Sequence, residues 1–480
     1  MELGTTEAEY RAQRLENLRQ LETLGYRPFG GAYSRSGILA EVRASFVEGK
    51  TVRIAGRMLS RREMGKSVFA DLRDGTDRFQ IYIKKDALEE TAFRAFSLLD
   101  FGDVIGVEGE LFTTRAGEQS VKVHAWTLLS KALRAPPEKW HGLQDVEIRY
   151  RKRYLDLVAN PDVRTVFNQR IAIVRAIREF LHGRGFQEVE TPMMQPLAGG
   201  AAANPFKTHY DALNCDMYLR IAPELYLKRL LVGGFDKVFE LNRNFRNEGL
   251  SRFHNPEFTM LEIYEAYGDR KTMQQLVQDL ICHAAQQVMG TLHVGTKDMP
   301  IDLTPPWREV TYQELLCERA GADWFDLTPD AARERAQGLG VSTDPAWGHT
   351  EVSQEVFEKL IEKTLVNPTF VTRLPVGLVP LAKATADDPN FVDVFELAIG
   401  GREIAPAYSE LNDPLEQRRR LEEQAAGDAS KVDEDFLAAL EQGMPPAGGM
   451  GIGIDRLVMM LTGAEAIRDV ILFPQMRPQS

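Results

Sequence analysis

The chain has 480 residues, of which 27% are charged and 44% are hydrophobic, and its formal net charge is −12 at pH 7. This length exceeds what one hydrophobic core usually serves and predicts two or three domains. The net charge excludes a global electrostatic attraction to nucleic acid, so any contact with RNA must come from local basic surface and from stacking.

Targeting and redox signals are absent from the sequence. The first residues, MELGTTEAEY, contain no basic stretch followed by an apolar one, and no run of about 18 apolar residues occurs, so we expect neither a signal peptide nor a membrane span. The cysteines Cys215, Cys282 and Cys317 lie far apart without a CxxC pair, which indicates neither a zinc site nor a disulfide framework. We therefore expect a cytoplasmic protein.

Residues 1–50 are predicted to form a helical extension. Leu15, Leu18 and Leu21 fall on one side of a helix over residues 6–24, which Gly25 would end. The simplest interpretation is a surface helix that packs on its neighbour. Contact with RNA through basic residues of this helix is the weaker alternative, and the residues concerned are Arg11, Arg14 and Arg19.

Residues 51–132 have the pattern of short strands separated by turn signals such as Asp74-Gly75. Five strands in a segment of about 80 residues predict a small closed sheet, an OB-type barrel. The five segments are TVRIAGRMLS, SVFADLRD, RFQIYIKK, DVIGVEGELF and QSVKVHAWTLL.

Residues 133–155 are interpreted as a basic linker. A run of charge is usually a solvated face, and contact with an RNA backbone is the alternative interpretation. The basic residues near the end of the linker are Arg149, Arg151, Lys152 and Arg153.

Residues 156–480 are mixed in pattern and predict a second, larger domain. The domain opens with a helix, and residues 270–365 within it are mostly helical in pattern and are interpreted in part as an inserted helical unit. The apolar face of the opening helix is predicted to contain Ile171, Val174, Ile177 and Leu181.

The segment 238–267 predicts an antiparallel hairpin with one polar face, because alternate residues of a strand share a face. A half-exposed sheet whose polar face meets solvent is the alternative, but it explains less well the polar loop between the strands, which holds Glu248, His254 and Asn255. The residues expected on the polar face are Glu240, Asn242, Asn244 and Arg246 from the first strand, and Phe258, Met260, Glu262 and Tyr264 from the second.

The segment 391–413 carries three glutamates around a hairpin turn at Gly400-Gly401. Glu396 precedes the turn, whereas Glu403 and Glu410 follow it. Carboxylates on adjacent strands repel each other unless a cation joins them, and Mg²⁺ prefers carboxylate and phosphate oxygens. On this segment alone, a cation site and unrelated solvated glutamates are equally well supported.

The segment 445–463 is a glycine-rich entry to a helix. Its GxGxG spacing excludes a Rossmann dinucleotide site, and the sequence has no GxxxxGK[ST], which excludes a P-loop. Such glycines often serve packing alone, but Arg456 at the start of the helix favours a functional role.

Together these segments resemble the three signature motifs of class II aminoacyl-tRNA synthetases. GFQEVETPMM resembles the first motif, which forms the dimer interface in the family; FRNEG with HNPEF resembles the second; and GMGIGIDRLVMM resembles the third. Within the class, RIAPELYLKRL, SELNDP and the ending IRDVILFPQMRP are most similar to lysyl-tRNA synthetases of the bacterial type.

The resemblance implies an α+β fold. An N-terminal five-stranded OB-type β-barrel would bind the anticodon, and an antiparallel-sheet catalytic domain with flanking helices would follow. The implied reaction activates L-lysine with ATP and Mg²⁺ to lysyl-adenylate and pyrophosphate, and then transfers lysine to the 3′-terminal adenosine of tRNA(Lys). The family also implies a homodimer.

The resemblance further implies roles for individual residues, with Arg246 and Arg456 as the catalytic cations. ATP would contact Arg246, Glu248, His254, Asn255, Phe258, Glu396, Glu403 and Arg456. Mg²⁺ would be held by Glu396 and Glu403. Lysine would contact Gly200, Glu224, Arg246, Glu262, Tyr264, Tyr408 and Glu410. The anticodon would contact Arg62, Phe69, Gln80 and Glu118.

Pro406 departs from the resemblance, because many family members have an Asn there that helps to hold the amino-acid carboxylate. Glu403 and Glu410 are seven positions apart, so a regular strand would direct them to opposite faces. A one-residue bulge restores a common face, and proline within sheets occurs mainly at bulges or edges. We therefore predict a bulge between the two glutamates that is fixed by Pro406, and a position where Asn is dispensable is the alternative.

Two other functions fit parts of the pattern. The same catalytic domain could attach a lysine-like amino acid to a protein, but such paralogues lack the OB domain. The chain could also be an RNA-binding protein whose synthetase-like domain is inactive. The residues that argue against inactivity are Arg246, Glu396, Glu403 and Arg456.

Overall fold

The computed structural model describes residues 5–136, 143–201, 203–425, 428 and 431–479. Internal contacts divide the chain into two units, Met1–Gln144 and Asp145–Ser480. Part of the predicted linker lies outside the described residues, and the domain boundaries drawn from the sequence stay predictions. None of the helices in the described ranges is both long enough and apolar enough to cross a membrane.

The first unit contains a closed five-stranded barrel. Its helices and strands, in chain order, are α1 (Thr5–Thr23), α2 (Leu39–Ala44), β1 (Thr51–Met64), β2 (Ser67–Arg73), β3 (Arg78–Lys84), α3 (Glu90–Ser97), β4 (Val104–Thr113) and β5 (Gln119–Ser130). The strands close in the order β1-β2-β3-β5-β4, with β3 and β5 parallel and the other neighbours antiparallel. The predicted five-stranded OB-type barrel is confirmed.

Alternation along the strands fills the barrel with apolar side chains. In β3, Phe79, Ile81 and Ile83 are fully buried, whereas Gln80 and Tyr82 between them are only half-buried. Because the side-chain period of a strand is two, one set packs inside the barrel and the other set faces outward.

The N-terminal helix α1 packs within this unit, as the simpler interpretation expected. Leu21 is fully buried, and the Arg14 guanidinium donates to the carbonyl oxygens of Phe101 and Ala132 at 2.9 Å each. Gly25 follows the helix with a φ of +85°, a conformation that glycine adopts without strain.

The second unit is a large sheet flanked by helices. Its helices are α4 (Val146–Arg151), α5 (Arg153–Ala159), α6 (Pro161–Gly183), α7 (Glu224–Val232), α8 (Arg270–Met289), α9 (Tyr312–Ala320), α10 (Pro329–Gly338), α11 (His349–Val356), α12 (Pro414–Ala425), α13 (Glu434–Glu441), α14 (Ile454–Thr462) and α15 (Ile467–Val470). Its strands are β6 (Gln187–Glu188), β7 (Met194–Gln195), β8 (Lys207–Tyr210), β9 (Cys215–Leu219), β10 (Lys237–Phe245), β11 (Glu257–Ala266), β12 (His293–Gly295), β13 (Pro300–Asp302), β14 (Arg308–Thr311), β15 (Thr369–Thr372), β16 (Val394–Ala398), β17 (Glu403–Ser409) and β18 (Ala447–Gly453).

The main sheet has eight strands in the order β14-β15-β16-β17-β18-β11-β10-β6. Neighbours from β15 to β10 are antiparallel, and only the two edge pairs, β14–β15 and β10–β6, are parallel. This arrangement confirms the predicted antiparallel-sheet domain with flanking helices.

One face of the main sheet packs against α6, α8 and α14 in the largest hydrophobic core. From α6, Ile177 and Leu181 enter this core, as the sequence pattern predicted. Ile171 does not, because its side chain is 63% exposed, and Ile173 is buried in its place. The predicted apolar face of α6 is therefore wrong at its first residue, since the helix turns that position away from the sheet.

The segment 270–365 is divided between two cores. Helix α8 belongs to the core of the main sheet, whereas α9, α10 and α11 gather around a separate core that contains the buried side chains of Tyr312 and Trp324. The helical pattern of the sequence concealed the edge strand β14 and a π-helical turn, Phe357–Ile361, that follows α11.

Candidate active site

The polar face of the predicted hairpin forms the floor of the candidate site. Strands β10 and β11 pair antiparallel, with Glu240 opposite Glu262 and Asn244 opposite Phe258. Ile263, on the other face, is fully buried in the core of the main sheet. The assignment of the two faces from alternation is confirmed.

A cleft of about 840 Å³ opens at the loop end of this hairpin, and we call it the hairpin cleft. Of the residues predicted to contact ATP, all except Glu396 line it. These residues are Arg246, Glu248, His254, Asn255, Phe258, Glu403 and Arg456.

Arg246 lies over the ring of Phe258, with its guanidinium carbon 5.2 Å from the ring centroid, which is a cation–π geometry. Its backbone N–H donates to the carbonyl of Pro256 at 2.8 Å and closes the base of the loop. Its Nε atom is buried and has no hydrogen-bond partner in the described part of the chain. A buried donor without a partner carries an energetic penalty, so this side chain is available to an anionic ligand.

Arg456, near the start of α14, forms the opposite wall of the hairpin cleft. It donates to the carbonyl of Glu403 at 3.1 Å and to Nε2 of His254 at 3.2 Å. Because Nε2 accepts, the ring proton is on Nδ1, which lies 2.8 Å from Oγ of Ser251. Burial, followed by the charges of Arg456 and Arg246, lowers the pKa of His254, so the ring is neutral at pH 7.

Asp455 fixes the orientation of the helix that carries Arg456. Its buried carboxylate accepts from the backbone N–H of Thr259 at 2.8 Å and from the guanidinium of Arg170 at 2.6 Å. These two bonds tie the start of α14 to β11 and α6, so Arg456 projects from a rigid base.

Two further residues of the hairpin cleft differ in exposure. Asn255 is buried, and its amide donates to the carbonyl of Glu257 at 2.5 Å and accepts from the backbone N–H of Gln475 at 3.1 Å. Glu248 is exposed in the loop. Asn255 therefore shapes the loop through contacts within the chain, whereas Glu248 is free to reach toward a ligand.

The predicted bulge between Glu403 and Glu410 is confirmed, but it does not lie at Pro406. Ala398 faces Glu403 whereas Leu397 faces Ala405, so the extra residue of β17 is Ile404. Pro406 lies directly opposite Glu396 in regular register. The expectation that Pro406 fixes the bulge is wrong, because the offset arises earlier, beside the hairpin turn at the start of the strand.

Glu396 and Glu403 lie close to two further carboxylates near the π-helical turn. The backbone N–H of Glu403 donates to Oε1 of Glu362 at 2.7 Å. Burial, followed by the charges of Glu403, Glu362 and Glu358, raises the pKa of Glu396 well above its usual range. No group of three or more His, Cys, Asp or Glu side chains is arranged to hold a metal within the described ranges, so a cation here would need ligand oxygens as well.

A buried cluster, which we call the acidic pocket, consists of Glu224, Glu262, Tyr264 and Glu410. The Tyr264 hydroxyl donates to Glu262 at 3.1 Å. Lys228 bridges the other two carboxylates, with Nζ at 2.8 Å from Glu224 and 2.5 Å from Glu410. Four of the residues predicted to contact lysine are thus brought together, whereas Arg246 lies in the hairpin cleft.

Two glycines provide the space for the acidic pocket. Gly200 has a φ of +84°, and a Cβ there would lie 3.2 Å from the Cβ of Glu224. Gly449, in β18, lies beside Tyr264, and a Cβ there would collide with Oε1 of Glu410 and with the Tyr264 ring. Any side chain at Gly449 would displace the carboxylate.

Burial raises the pKa values of carboxyl groups in the acidic pocket. Burial, followed by the charge of Glu224, raises the pKa of Glu262 to about 8. Burial also raises the pKa of Glu410 to about 8, although Lys228 opposes the shift. Tyr408, which pairs with Gly449, has a raised pKa because of burial and neighbouring glutamates. A cation that enters the pocket would displace protons from these carboxyls.

Comparisons with known proteins agree with this geometry. Residues 145–477 match the family of class II tRNA synthetases (D, K and N), and residues 52–129 match the OB-fold nucleic acid binding domain. The chain is 52% identical to the lysine–tRNA ligase of Moorella thermoacetica, over 98% of this chain and 99% of that protein. The lysine–tRNA ligases of Syntrophomonas wolfei (98% of each chain) and Carboxydothermus hydrogenoformans (97% of each chain) are 50% and 51% identical.

The chain belongs to the lysine–tRNA ligase family. Membership covers the barrel as well as the sheet domain, which argues against a paralogue that lacks the OB domain. The class II family also accounts for the order of the three motifs along the sequence.

In this family member, the outer face of the barrel carries an aromatic pair. Phe69 in β2 lies opposite Tyr82 in β3 and opposite Arg62 in β1. The rings of Phe69 and Tyr82 have centroids 4.9 Å apart, and neither belongs to the barrel core. Phe69 is therefore a surface ring rather than a core residue, and Arg62 beside it is exposed.

The two other residues predicted to contact the anticodon lie on the same unit. Gln80 accepts a hydrogen bond from the hydroxyl of Ser120 at 2.8 Å. Glu118 lies 3.6 Å from the guanidinium of Arg78, which is itself half-exposed. Gln80 and Arg78, the neighbour of Glu118, lie in the first half of β3, whereas Tyr82 lies toward its other end opposite Phe69.

Two residues of the site were not found from the sequence. Lys228 and Glu362 come from helical segments that pack onto the sheet over long sequence separations. Asn244 was expected on the polar face. The sequence did not indicate that both polar atoms of its buried side-chain amide lack hydrogen-bond partners among the residues described. The i, i+4 spacing of Glu224 and Lys228 on a helix is the sequence feature that could have indicated their ion pair.

Proposed function

We propose that the chain performs its lysine–tRNA ligase activity with ATP in the hairpin cleft and L-lysine in the acidic pocket. The observation that carries this proposal is that β11 serves both sites. It contributes Phe258 to the cleft and Glu262 to the pocket from the same face. Four residues of a strand span about 13 Å, which leaves room for ATP in the cleft and an extended lysine in the pocket to meet end to end.

The reaction would proceed in two steps. The carboxylate of lysine attacks the α-phosphorus of ATP, which forms lysyl-adenylate and releases pyrophosphate. A hydroxyl of the 3′-terminal adenosine of tRNA(Lys) then attacks the carbonyl carbon and releases AMP. The first step needs no strong general base, because an amino-acid carboxylate is already ionised at pH 7.

Arg246 and Arg456 would supply the electrostatic stabilisation. The barrier of the first step lies in the approach of two anions and in the charge that develops on the α-phosphate. The unpartnered Nε of Arg246 and its fixed position over Phe258 support a preorganised contact. A neutral His254 beside Arg456 adds no charge to the cleft, and its Nδ1 lies against Oγ of Ser251.

Glu396 and Glu403 fit a Mg²⁺ site. This ion is usually held by one or two carboxylates together with substrate phosphates and water, and the raised pKa of Glu396 is the expected response of clustered carboxylates without a cation. When bound, Mg²⁺ would neutralise phosphate charge. The chain's own part is to hold the two carboxylates on adjacent strands, with Glu362 fixing the backbone of Glu403.

The acidic pocket would select lysine by charge. A buried, unpaired ammonium costs several kcal/mol, so a site that accepts it must provide carboxylates, as Glu224, Glu262 and Glu410 do. Ornithine is one methylene shorter and retains the ammonium. Such a difference is worth only about 10- to 200-fold in binding, so ornithine is the analogue that the pocket rejects least.

The substrate carboxylate needs donors that Pro406 cannot provide. Arg246 is one donor close to the α-phosphate position. Asn244 is a further candidate, because it lies two residues before Arg246 on the same strand face and its amide lacks partners in the described part of the chain. Together they would replace the contact that the family's Asn makes.

The outer face of the barrel would bind the anticodon of tRNA(Lys). Phe69 and Tyr82 offer surface rings for base stacking, which is worth about 1–3 kcal/mol per base. Arg62, Gln80 and Glu118 offer a cation, an amide and a carboxylate for base edges. Local stacking and hydrogen bonding of this kind do not depend on the net charge of the chain.

A homodimer is supported by an exposed apolar surface next to α6. Ile171, Leu472 and Phe473 are 63%, 41% and 71% exposed, and all three line one open cavity of the second unit. Apolar residues grouped on a surface are typical of protein–protein contacts, and a two-fold pair is the commonest assembly.

Exchange of pyrophosphate into ATP across a panel of amino acids tests the function. We expect lysine to drive exchange in the presence of Mg²⁺, and aspartate and asparagine to be inactive. Exchange driven by one of those two instead would contradict the assignment of the acidic pocket. Charging of tRNA(Lys) with labelled lysine then tests the second step, and its absence would favour another acceptor.

A further inference from the structure

The acidic pocket already contains an ammonium group that belongs to the chain. Lys228 is fully buried, and its Nζ lies 2.8 Å from Glu224, 2.5 Å from Glu410 and 3.5 Å from the carbonyl of Leu381. Glu224 is one helical turn away on α7, whereas Glu410 comes from the end of β17. The lysine thus joins two elements that would otherwise present repelling carboxylates.

The ion pair with Lys228 leaves polar atoms of the acidic pocket without hydrogen-bond partners. Both oxygens of Glu410 are buried without a hydrogen-bond partner among the residues described; Oε2 is ion-paired with Lys228, whereas Oε1 has no cation beside it. Glu224 and Glu410 share this single ammonium, and Glu262 lies in the same cluster without a cationic partner of its own among the residues described. The neighbouring Glu240 is neutralised by Arg220 at 2.6 Å. An ammonium group of L-lysine is a partner that the unpaired carboxyl oxygen of Glu410 can accept.

We propose that Lys228 is a positioning residue that determines the specificity of the acidic pocket. It holds one oxygen of Glu410, so that the other oxygen is presented to an ammonium group of L-lysine. The inference rests on the proposed function, because it concerns the same site.

Packing around the pocket argues against displacement of Lys228 by the substrate. In the alternative role, Lys228 would mimic the substrate. Its ammonium group would occupy the position of the substrate ammonium and would leave when L-lysine binds. Lys228 has no exposed surface and lies among three acceptors, one of them a backbone carbonyl. Its removal from this position would require separation of α7 from the end of β17.

Charge is the property that the pocket needs from Lys228. Burial alone would lower the pKa of Lys228, but the charges of Glu224 and Glu410 raise it above its ordinary value, so the ammonium is retained. Without this cation, Glu410 would bind a proton more tightly and become a weaker acceptor for an ammonium group. Tyr264, Tyr408 and Glu262, which also face Glu410, cannot replace a positive charge.

The test is steady-state pyrophosphate exchange by the full-length chain and its Lys228→Gln and Lys228→Arg variants. Gln keeps a hydrogen-bond donor without charge, whereas Arg keeps the charge. We expect Lys228→Gln to raise the lysine KM at pH 7 at least tenfold, with kcat within about threefold of the original, and Lys228→Arg to recover most of the loss. Lys131→Gln is the matched control, because Lys131 is equally buried between Asp100 and Asp103 in the other unit.

The possible outcomes separate the alternatives. A lower KM in Lys228→Gln would overturn the proposal in favour of a competing mimic. Equal loss in both variants, with kcat and KM changing together, would overturn it in favour of a purely structural role. If the original chain shows no lysine-dependent exchange, the proposed function fails instead, which is a different result.

A second measurement avoids dependence on the folding of the variants. The original chain is treated with an amine-reactive label, with and without saturating L-lysine, and its peptides are analysed by mass spectrometry. We expect Lys228 to stay unlabelled in both conditions, whereas Lys237, whose side chain is 37% exposed, is labelled in both. Labelling of Lys228 only in the presence of lysine would overturn the proposal.

Discussion

Arg246 is the residue whose loss should affect activation most directly. We expect Arg246→Ala to reduce the rate of lysine-dependent exchange by about 10² or more, the scale of losing one preorganised charge stabiliser. The measured quantity is kcat/KM for ATP. Arg373→Ala is the matched control, because Arg373 is ion-paired with Asp387 at 2.8 Å away from the hairpin cleft. Near-normal exchange by Arg246→Ala would remove this residue from the mechanism.

The carboxyls of the acidic pocket should make lysine binding depend on pH. Glu262 and Glu410 have pKa values raised to about 8, and an ammonium group binds the ionised forms. We therefore expect the lysine KM to rise as pH falls from 8.5 to 6, by up to about tenfold per unit for each proton displaced. A KM that is constant over this range would show that the carboxyls are already ionised.

The raised pKa values of Glu262 and Glu410 also make the free energy of unfolding depend on pH. Low pH weakens lysine binding but stabilises the folded chain. Because the folded-state pKa of each carboxyl is raised above its unfolded value, the folded chain binds more protons between about pH 4.5 and 8. This contribution to stability is present at the acid end of that window and is lost as pH rises through 8. Bound lysine compensates the ionised carboxyls, so lysine should raise the Tm more at pH 8.5 than at pH 6.

Sequence alone predicted most of the site residues, but not how they are held. Phe258, Glu262 and Arg246 follow from strand alternation, which depends only on local chain geometry. Lys228 and Asp455 act through contacts with distant segments, and nothing in a local pattern reveals such contacts. The role of Gly449 depends likewise on the position of the Glu410 carboxylate across the sheet.

At the scale of elements, the β16–β17 hairpin shows what a sequence pattern determines. The need for a bulge followed from the seven-residue spacing of Glu403 and Glu410, but its position at Ile404 did not. A bulge depends on the register with the partner strand, and that register is set by the turn at Gly400 and Gly401. The π-helical turn and the edge strand β14 were concealed for the same reason, because tertiary packing selects them.

Pro406→Asn tests the remaining role of this hairpin. The bulge does not include Pro406, so we expect the variant to fold and to keep a normal Tm. Pro406 lines the hairpin cleft, and an amide there can reach the substrate carboxylate. The lysine KM should therefore fall, by at most the worth of one hydrogen bond to a charged group, about 1.5–3 kcal/mol.

Two other results for Pro406→Asn have distinct meanings. An unchanged KM would mean that the family's Asn is dispensable at this position, with Arg246 and Asn244 sufficient. A folded variant with collapsed exchange would mean that the ring of Pro406 restrains β17 after all.

At the scale of the whole molecule, the two units should have separable functions. We expect Phe69→Ala to weaken charging of tRNA(Lys), with the KM for tRNA raised by the worth of one stacking contact, about 1–3 kcal/mol. Lysine-dependent exchange should stay unchanged. Phe79→Ala is the informative comparison, because Phe79 is fully buried in the barrel and its loss should lower the Tm. Equal loss of both steps in Phe69→Ala would indicate that the ring serves folding.

Assembly is the last property that the fold predicts at this scale. Ile171 was expected in the core and is instead exposed beside Leu472 and Phe473. The apolar residues of α6 therefore lie on two different faces of the helix. One surface packs on the main sheet, and we propose that the other contacts a second copy. Stable two-fold interfaces bury about 1,200–2,000 Å² in total, and an apolar centre of this kind is sensitive to a buried charge.

We therefore expect the chain to be a dimer at micromolar concentration and Ile171→Asp to be a monomer, as measured by light scattering. Leu415→Asp is the control, because Leu415 is 77% exposed on α12 but is not part of this apolar surface, and its variant should remain dimeric. A monomeric original chain with full charging activity would contradict the predicted assembly. A dimer that persists in Ile171→Asp would place the interface elsewhere, and the exposed face of α6 would then need another explanation.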